Sequence, residues 1–249
     1  MHDPRLDSDN SAAFNEFYPH LHGIREEVEY SEVQGIRLYH NRNTIHFPSH
    51  WHSAIEILYP LEENYTVKIG TEENVLAPGD ILVVAPGTIH SYTPPESGER
   101  IFILFDYNLL KMFRGLRQVM QAIQPYLLIT QTAYPPLNEK LQELLRDVIQ
   151  EYDKDAPYCG AMIWSRLLEF FAYIGRTDVY RVSHSREFPK DKRQEYVTKF
   201  MEVCNYITDH LDEEINTDRL AEIAGFSKFH FSRLFKEFTG YSSHEYLIQ

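Results

Sequence analysis

The sequence predicts an α+β chain made of an amino-terminal antiparallel β-barrel, a helical pair and an all-α helix-turn-helix segment. Three observations carry that expectation. Short β-type runs separated by turn residues crowd the first half. Apolar residues then recur at a period of about 3.6. The end of the chain alternates helix N-caps with glycine stops.

The chain has 249 residues, 43 % of them apolar, which is enough for a substantial core and for one or two domains. Met1 to Asn10 is charged and lacks the apolar run of a signal peptide, and no stretch approaches the roughly 20 apolar residues of a membrane span. A cytoplasmic protein with no membrane partner is expected. Cys159 and Cys204 stand in no metal-type spacing and read as buried thiols rather than a disulfide framework or zinc ribbon. A formal charge of −13 excludes a protein whose whole surface grips nucleic acid, because that affinity rests on Lys and Arg meeting phosphates. Any DNA contact must be local.

From Glu29 to Phe105 the runs IRLYH, IEILYP, YTVKIG, ILVVAP and IFILF alternate with Pro, Gly, Asn and Glu clusters, as in a sandwich or barrel. Beyond Asp106, LQELLRDVIQEY from Leu141 and MIWSRLLEFFAYI from Met162 carry apolar residues three and four apart, so two helices follow. Pro135-Pro136 opens the first, and DKDAP from Asp153 to Pro157 separates them. The charged stretch from Ser183 to Arg193, with Pro189, reads as a linker before a third helix starting near Glu195. The expected division is 1–125 for the barrel with its amino-terminal arm, 126–182 for the helical pair, 183–194 for the linker, and 195–249 for the helix-turn-helix part.

His50, His52 and Glu56 share parity, so a regular strand would project all three to one side. His46 has the same parity but precedes Pro48 and reads as a rim residue, while Trp51 faces the other way, into a core or over the barrel exterior. Pro78-Gly79-Asp80, ILVV and Ala85-Pro86-Gly87 then lead to His90. These two segments resemble the paired motifs of the cupin superfamily, where HxH, a later Glu and a His after a Pro-Gly turn hold a divalent metal. Ala85 departs from that pattern, standing where a proline is usual. The resemblance makes His50, His52, Glu56 and His90 candidate metal ligands, and three imidazoles with a carboxylate suit Fe(II), Mn(II), Ni(II) or Zn(II). The same four residues equally suit hydrogen bonding to a small molecule without metal.

At the other end, Asn216 is an N-cap for a helix with Leu220, Ile223 and Ala224 on its buried face and Ala221 small enough for a second helix to cross closely, and Gly225 stops it. Ser227 caps the next helix after a very short turn, the helix-turn-helix arrangement. One stripe of that second helix, Phe231, Leu234, Phe235 and Phe238, is core. The other, Phe229, Ser232, Arg233 and Lys236, combines cations for guanine edges and phosphate, a hydroxyl, and a ring for a thymine methyl. Ser227, Lys228 and His230 at the start of the helix complete the candidate DNA-reading set. Gly240 closes the helix, and Ser242 with Glu245 forms a capping box for another.

LAEIAGFSKFHFSRLFKEFTGYSSHEYL closely resembles the first helix-turn-helix of AraC/XylS-type regulators, including the Ala-Gly turn, the FK pair and the TG-S-EY ending. Such regulators commonly place a cupin-like sensor in front of this region. The resemblance therefore implies a sequence-specific DNA-binding transcription regulator, controlled by a small-molecule effector in the barrel and dimerising through the helical pair. Sugars are common effectors among relatives, and Trp51 and Tyr59 would suit sugar stacking. A complete DNA-binding region there has a second helix-turn-helix, whereas Glu214 onward carries four Lys or Arg against five Asp or Glu, so weak DNA binding by this chain alone is expected. The rival reading is a metal-dependent cupin enzyme, a dioxygenase or isomerase, for which the carboxy-terminal third would be superfluous.

Overall fold

The computed structural model of the chain describes residues 20–30, 35–107, 110, 113–116, 119, 123–154, 156–177, 192–210, 213 and 215–248. Its strands are β1 (His20–His22), β2 (Arg25–Glu27), β3 (Ile36–Asn41), β4 (Phe47–His50), β5 (Ala54–Pro60), β6 (Tyr65–Ile69), β7 (Glu72–Leu76), β8 (Ile81–Val84), β9 (His90–Thr93), β10 (Arg100–Asp106) and β11 (Tyr126–Ile129). All five expected runs are strands. Antiparallel pairing sorts the set into a five-stranded sheet, β11-β8-β5-β10-β3, a four-stranded sheet, β4-β9-β6-β7, and the separate hairpin β1-β2. The expected barrel takes the form of two facing sheets, and among the described residues no ladder joins one sheet's edge to the other's.

The five-stranded sheet is buried on both faces, which is why β8 and β10 read as continuous apolar runs rather than alternating ones. Outside β3, whose Ile36 and Leu38 face the helices, its even-numbered residues, among them Leu58, Leu82, Val84, Phe102 and Leu104, meet Val67, Ile69 and Tyr92 of the four-stranded sheet. Its odd-numbered residues, among them Ile55, Ile57, Val83, Ile101 and Ile103, meet two helices.

Those helices are α1 (Pro135–Lys154) and α2 (Cys159–Arg176). Pro at the first helical position lacks an N–H the helix would not have used, so Pro135-Pro136 starts α1 without cost. Leu141, Leu144, Leu145, Leu167, Phe170 and Phe171 all pack on the sheet. These Leu-rich and aromatic faces of the two helices are therefore covered by the sheet within one chain. Cys159 is half-buried rather than buried, Cys204 is buried, and the two are not joined in a disulfide.

Helix α3 (Lys192–Asp209) begins three residues before the expected Glu195, so 192–194 belong to the helix, and residues 183–191 of the expected linker lie outside the described residues. It is followed by α4 (Thr217–Ala224), α5 (Lys228–Thr239) and α6 (Ser243–Ile248). Every predicted cap is present. Asn216 accepts from the Arg219 amide at 2.9 Å, Gly225 and Gly240 adopt the left-handed conformation, and Ser242 and Glu245 exchange amide hydrogen bonds of 3.2 and 2.7 Å. Phe200 of α3 inserts among Phe231, Phe235 and Phe238 of α5, with ring centroids 5.6–6.3 Å apart. Ile223, expected on the buried face, is half-buried, while Leu220, Ala221 and Ala224 are buried. No described helix is long and apolar enough to cross a membrane.

Candidate functional site

Strand β4 ends at His50 and β5 starts at Ala54, yet the short break keeps the expected alternation. His50 and His52 turn inward while Trp51 turns the opposite way. Glu56, on the buried side of β5, and His90, the first residue of β9, close the cluster. The site nitrogens of His50, His52 and His90 all lie within 4.8 Å of one another, and all four residues are at most 1 % exposed. The four candidates singled out by sequence thus converge. His46, read as a rim residue, is exposed.

Tautomers follow from the chemistry of the partners. Each histidine holds its Nδ1 against a main-chain carbonyl: His50 on Pro48 at 3.0 Å, His52 on Ala54 at 3.1 Å and His90 on Thr88 at 2.8 Å. A carbonyl oxygen only accepts, so each Nδ1 carries a proton and each Nε2 faces its neighbours. The Nε2 atoms of His50 and His90 are buried without a hydrogen-bond partner. Burying such a lone pair unsatisfied costs about 1–3 kcal/mol, so a site that keeps two of them is built to meet something else. Carbonyl-anchored Nδ1–H groups are the usual outer support of metal-binding imidazoles. The donor set fits a divalent metal ion, with His50, His52 and His90 supplying nitrogen and Glu56 oxygen.

Electrostatics agree with the geometry. Burial, followed by the neighbouring His90, pushes His50 down to about 4 and keeps it neutral. Burial works against the charge on His52, but its 2.8 Å contact with Glu56 outweighs this and raises it. Burial likewise opposes the Glu56 carboxylate, but the hydrogen bond from His52, with His90 Nε2 a further contact at 3.4 Å, holds it far below the usual carboxylate range all the same. The Tyr92 hydroxyl donates to the other Glu56 oxygen, and burial followed by that anion holds its proton well above the normal phenol range.

Sequence reasoning missed two members. Tyr92 shares parity with His90 on β9, so alternation alone could have found it. Glu26 could not be found that way, because it reaches the cluster from hairpin β1-β2. It is 4 % exposed, and its carboxylate lies 3.2 Å from His50 Nε2, without the alignment of a hydrogen bond. Gly23 between HLH and REE is the one turn signal that announces the hairpin.

The second candidate site is the outer face of α5. Phe229 is 82 % exposed, and Arg233 and Lys236 are exposed beside the half-buried Ser232. Ser227 and Lys228 are also exposed at the helix start, with Lys228 paired to Asp218 at 2.7 Å, and His230 is half-buried between Tyr196 and Phe226. An exposed phenylalanine on a helix whose other stripe is core leaves this face uncovered by the described residues. One reading is overturned: Trp51 is 0 % exposed in the helical core and Tyr59 is 4 % exposed, bonded to Gln142, so neither ring can stack on a sugar.

A two-sheet domain with an inward polar cluster, followed by a capped helix-turn-helix, defines a sensor-type domain joined to a DNA-binding-type segment. Residues 33–171 match the family described as the AraC-like ligand binding domain, and residues 207–247 match the bacterial regulatory helix-turn-helix proteins of the AraC family. The chain belongs to the AraC family. No curated protein matches it. Among solved structures it is similar to the AraC-like transcriptional activator CuxR, with 12 % identity over 79 % of this chain and 65 % of that one and a TM-score of 0.46. It is also similar to fatty-acid-bound ToxT from Vibrio cholerae, with 12 % identity, 86 % and 94 % coverage and a TM-score of 0.38. An RmlC-like cupin from Shewanella frigidimarina matches over 28 % of this chain and 66 % of its own, with 20 % identity and a TM-score of 0.27.

Proposed function

We propose that the chain acts as a transcription regulator that combines a sensor with a DNA-binding part, with a small effector bound at His50, His52, Glu56 and His90. The observation that carries this is the pairing of an unsatisfied, buried histidine cluster with an exposed Phe229-Ser232-Arg233-Lys236 face in one polypeptide of this family. The cluster supplies selectivity for a ligand that accepts imidazole lone pairs, and the helix supplies base and phosphate contacts. An effector acts only if it binds two arrangements of the chain with different affinity. We place the protein in the cytoplasm as a homodimer, meeting its partner copy through side chains other than those buried on the sheet.

A thermal-shift screen of divalent metals and small metabolites tests the sensor half, since a ligand binding only the native state raises its apparent stability. Stabilisation by one class, lost in H52A, supports the reading. Turnover of a substrate by metal-loaded protein would favour the metal-dependent dioxygenase or isomerase instead.

A further inference from the structure

Three of the segments that contribute side chains to the histidine cluster are also fastened to the helices α3 to α6. Hairpin β1-β2 contributes Glu26, whose amide donates to the Trp51 carbonyl at 2.8 Å, while the Trp51 amide donates to the Ile24 carbonyl at 2.9 Å. The same hairpin lies on the end of α5. A Cβ added to Gly23 would stand 2.6 Å from the Glu237 carbonyl oxygen, and Tyr241 Oη is 2.9 Å from His22 Nε2. Arg25 lies over the Tyr246 ring of α6 at 5.1 Å. The His50-Trp51-His52 segment sends its indole into the helical core, where Nε1 donates to the Phe238 carbonyl at 3.1 Å. The turn before His90 is clasped by Gln194 of α3, which donates to the Gly87 carbonyl at 2.6 Å and accepts from the Ile89 amide at 2.8 Å.

Glu26 therefore stands between the two halves. Its carboxylate, though 3.2 Å from His50 Nε2, is not aligned to hydrogen-bond with it, so the hairpin is joined to the site side by its backbone while its side-chain contact is unfinished. A cation between that carboxylate and the Nε2 atoms would finish it. We propose that a divalent metal ion held by Glu26, His50, His52, Glu56 and His90 is the effector, and that Glu26 is the donor through which its binding clamps hairpin β1-β2 and, with it, the helix-turn-helix. This rests on the sensor reading above and narrows it to a metal and to one route. The face of Phe229, Arg233 and Lys236 is exposed in the structure, so an ion that clamps the hairpin would fix where that face points rather than cover it.

The test uses the whole chain stripped with a chelator and titrated with Co(II), whose visible absorption reports nitrogen and oxygen donors. Calorimetry measures stoichiometry and affinity, and amide hydrogen exchange reports residues 20–27 and 228–247. One ion per chain is expected, with at least tenfold slower exchange in both segments. E26Q should bind ten- to hundredfold more weakly. At saturating Co(II) it should still show the imidazole absorption without the slowed exchange at 228–247. Should E26Q not fold, E26D, which keeps the charge and shortens the reach, is expected to bind with intermediate affinity. Parent-like affinity and protection in these variants overturn the role of Glu26. Metal bound with no change in exchange overturns the clamp but leaves the site. No binding of Co(II), with a metabolite stabilising the same chain, overturns the metal and leaves the sensor reading standing.

Discussion

The indole nitrogen of Trp51 donates to the main-chain carbonyl of Phe238 at 3.1 Å, across 187 residues of sequence. Phe238 lies in the last turn of α5, where helical carbonyls lack an intrahelical donor, so the indole serves as a cap supplied from the sheet domain. The ring itself sits among Val197, Phe200, Leu220 and Phe231, fully buried. Two ionisable neighbours, His50 and His52, point the other way into the candidate site. One tripeptide therefore belongs to two cores.

W51F keeps most of the ring and removes the donor. Loss of one buried hydrogen bond predicts about 1 kcal/mol, with the orphaned Phe238 carbonyl adding to it if water cannot reach it. W51A additionally opens a cavity and should cost about 3–5 kcal/mol. Urea denaturation of both variants checks the order, and equal losses would mean that the packing of the ring contributes nothing beyond the hydrogen bond.

Gly240 tests the same junction from the helical side. Its φ of +80° strains any other residue, and an added Cβ would stand 2.7 Å from the His22 carbonyl carbon and 2.8 Å from His22 Cα. Gly70 has a similar φ of +59° with nothing within 4 Å, so G70A isolates the backbone cost, about 1 kcal/mol. G240A is expected to lose clearly more than G70A in chemical denaturation and to speed amide exchange in residues 20–27. Equal losses would show that the hairpin yields freely.

The strands and caps were legible because local chemistry decides them. Val83 and Ile103 can only be buried, and Asn216, Gly225, Ser227 and Gly240 have few other uses in this spacing. The histidine cluster was legible through parity. Glu26 was not, because a three-residue strand leaves almost no periodic signal and its partner Trp51 is distant in sequence. The fate of the α1 and α2 faces was equally hidden, since amphipathicity fixes that a face is covered and not what covers it.

Burial opposes protonation of His40, but hydrogen bonds from its ring to Glu99 at 2.8 Å and Asp153 at 3.1 Å outweigh this and raise it above the ordinary histidine value. These contacts tie β3 to the end of α1. A group whose folded pKa is raised contributes stability that is fully present below the unfolded value, about 6.5, and is lost as pH rises through the folded pKa. Parent stability should therefore fall across the range just above pH 6.5 relative to H40N, in which this component is absent. The difference is small, because the group is half-exposed and solvent screens it. Matching pH profiles of thermal midpoint for the two proteins would remove His40 from the account.

The exposed face of α5 makes separable predictions for DNA binding. Arg233 is exposed and, among the described residues, pairs only with Glu237 at 3.6 Å, so its guanidinium can turn toward a base edge, where a bidentate contact to guanine is worth about 1–3 kcal/mol of discrimination. R233A should weaken binding to a cognate site about ten- to hundredfold while leaving non-specific binding nearly unchanged. Lys236, at the far end of the same stripe, suits a phosphate instead. K236A should weaken cognate and random sequences alike and reduce the slope of log affinity against log salt by about one. Fluorescence anisotropy at three salt concentrations distinguishes the two roles. If both variants lower the salt slope equally and neither alters sequence preference, the face grips only the backbone, and sequence reading must come from elsewhere.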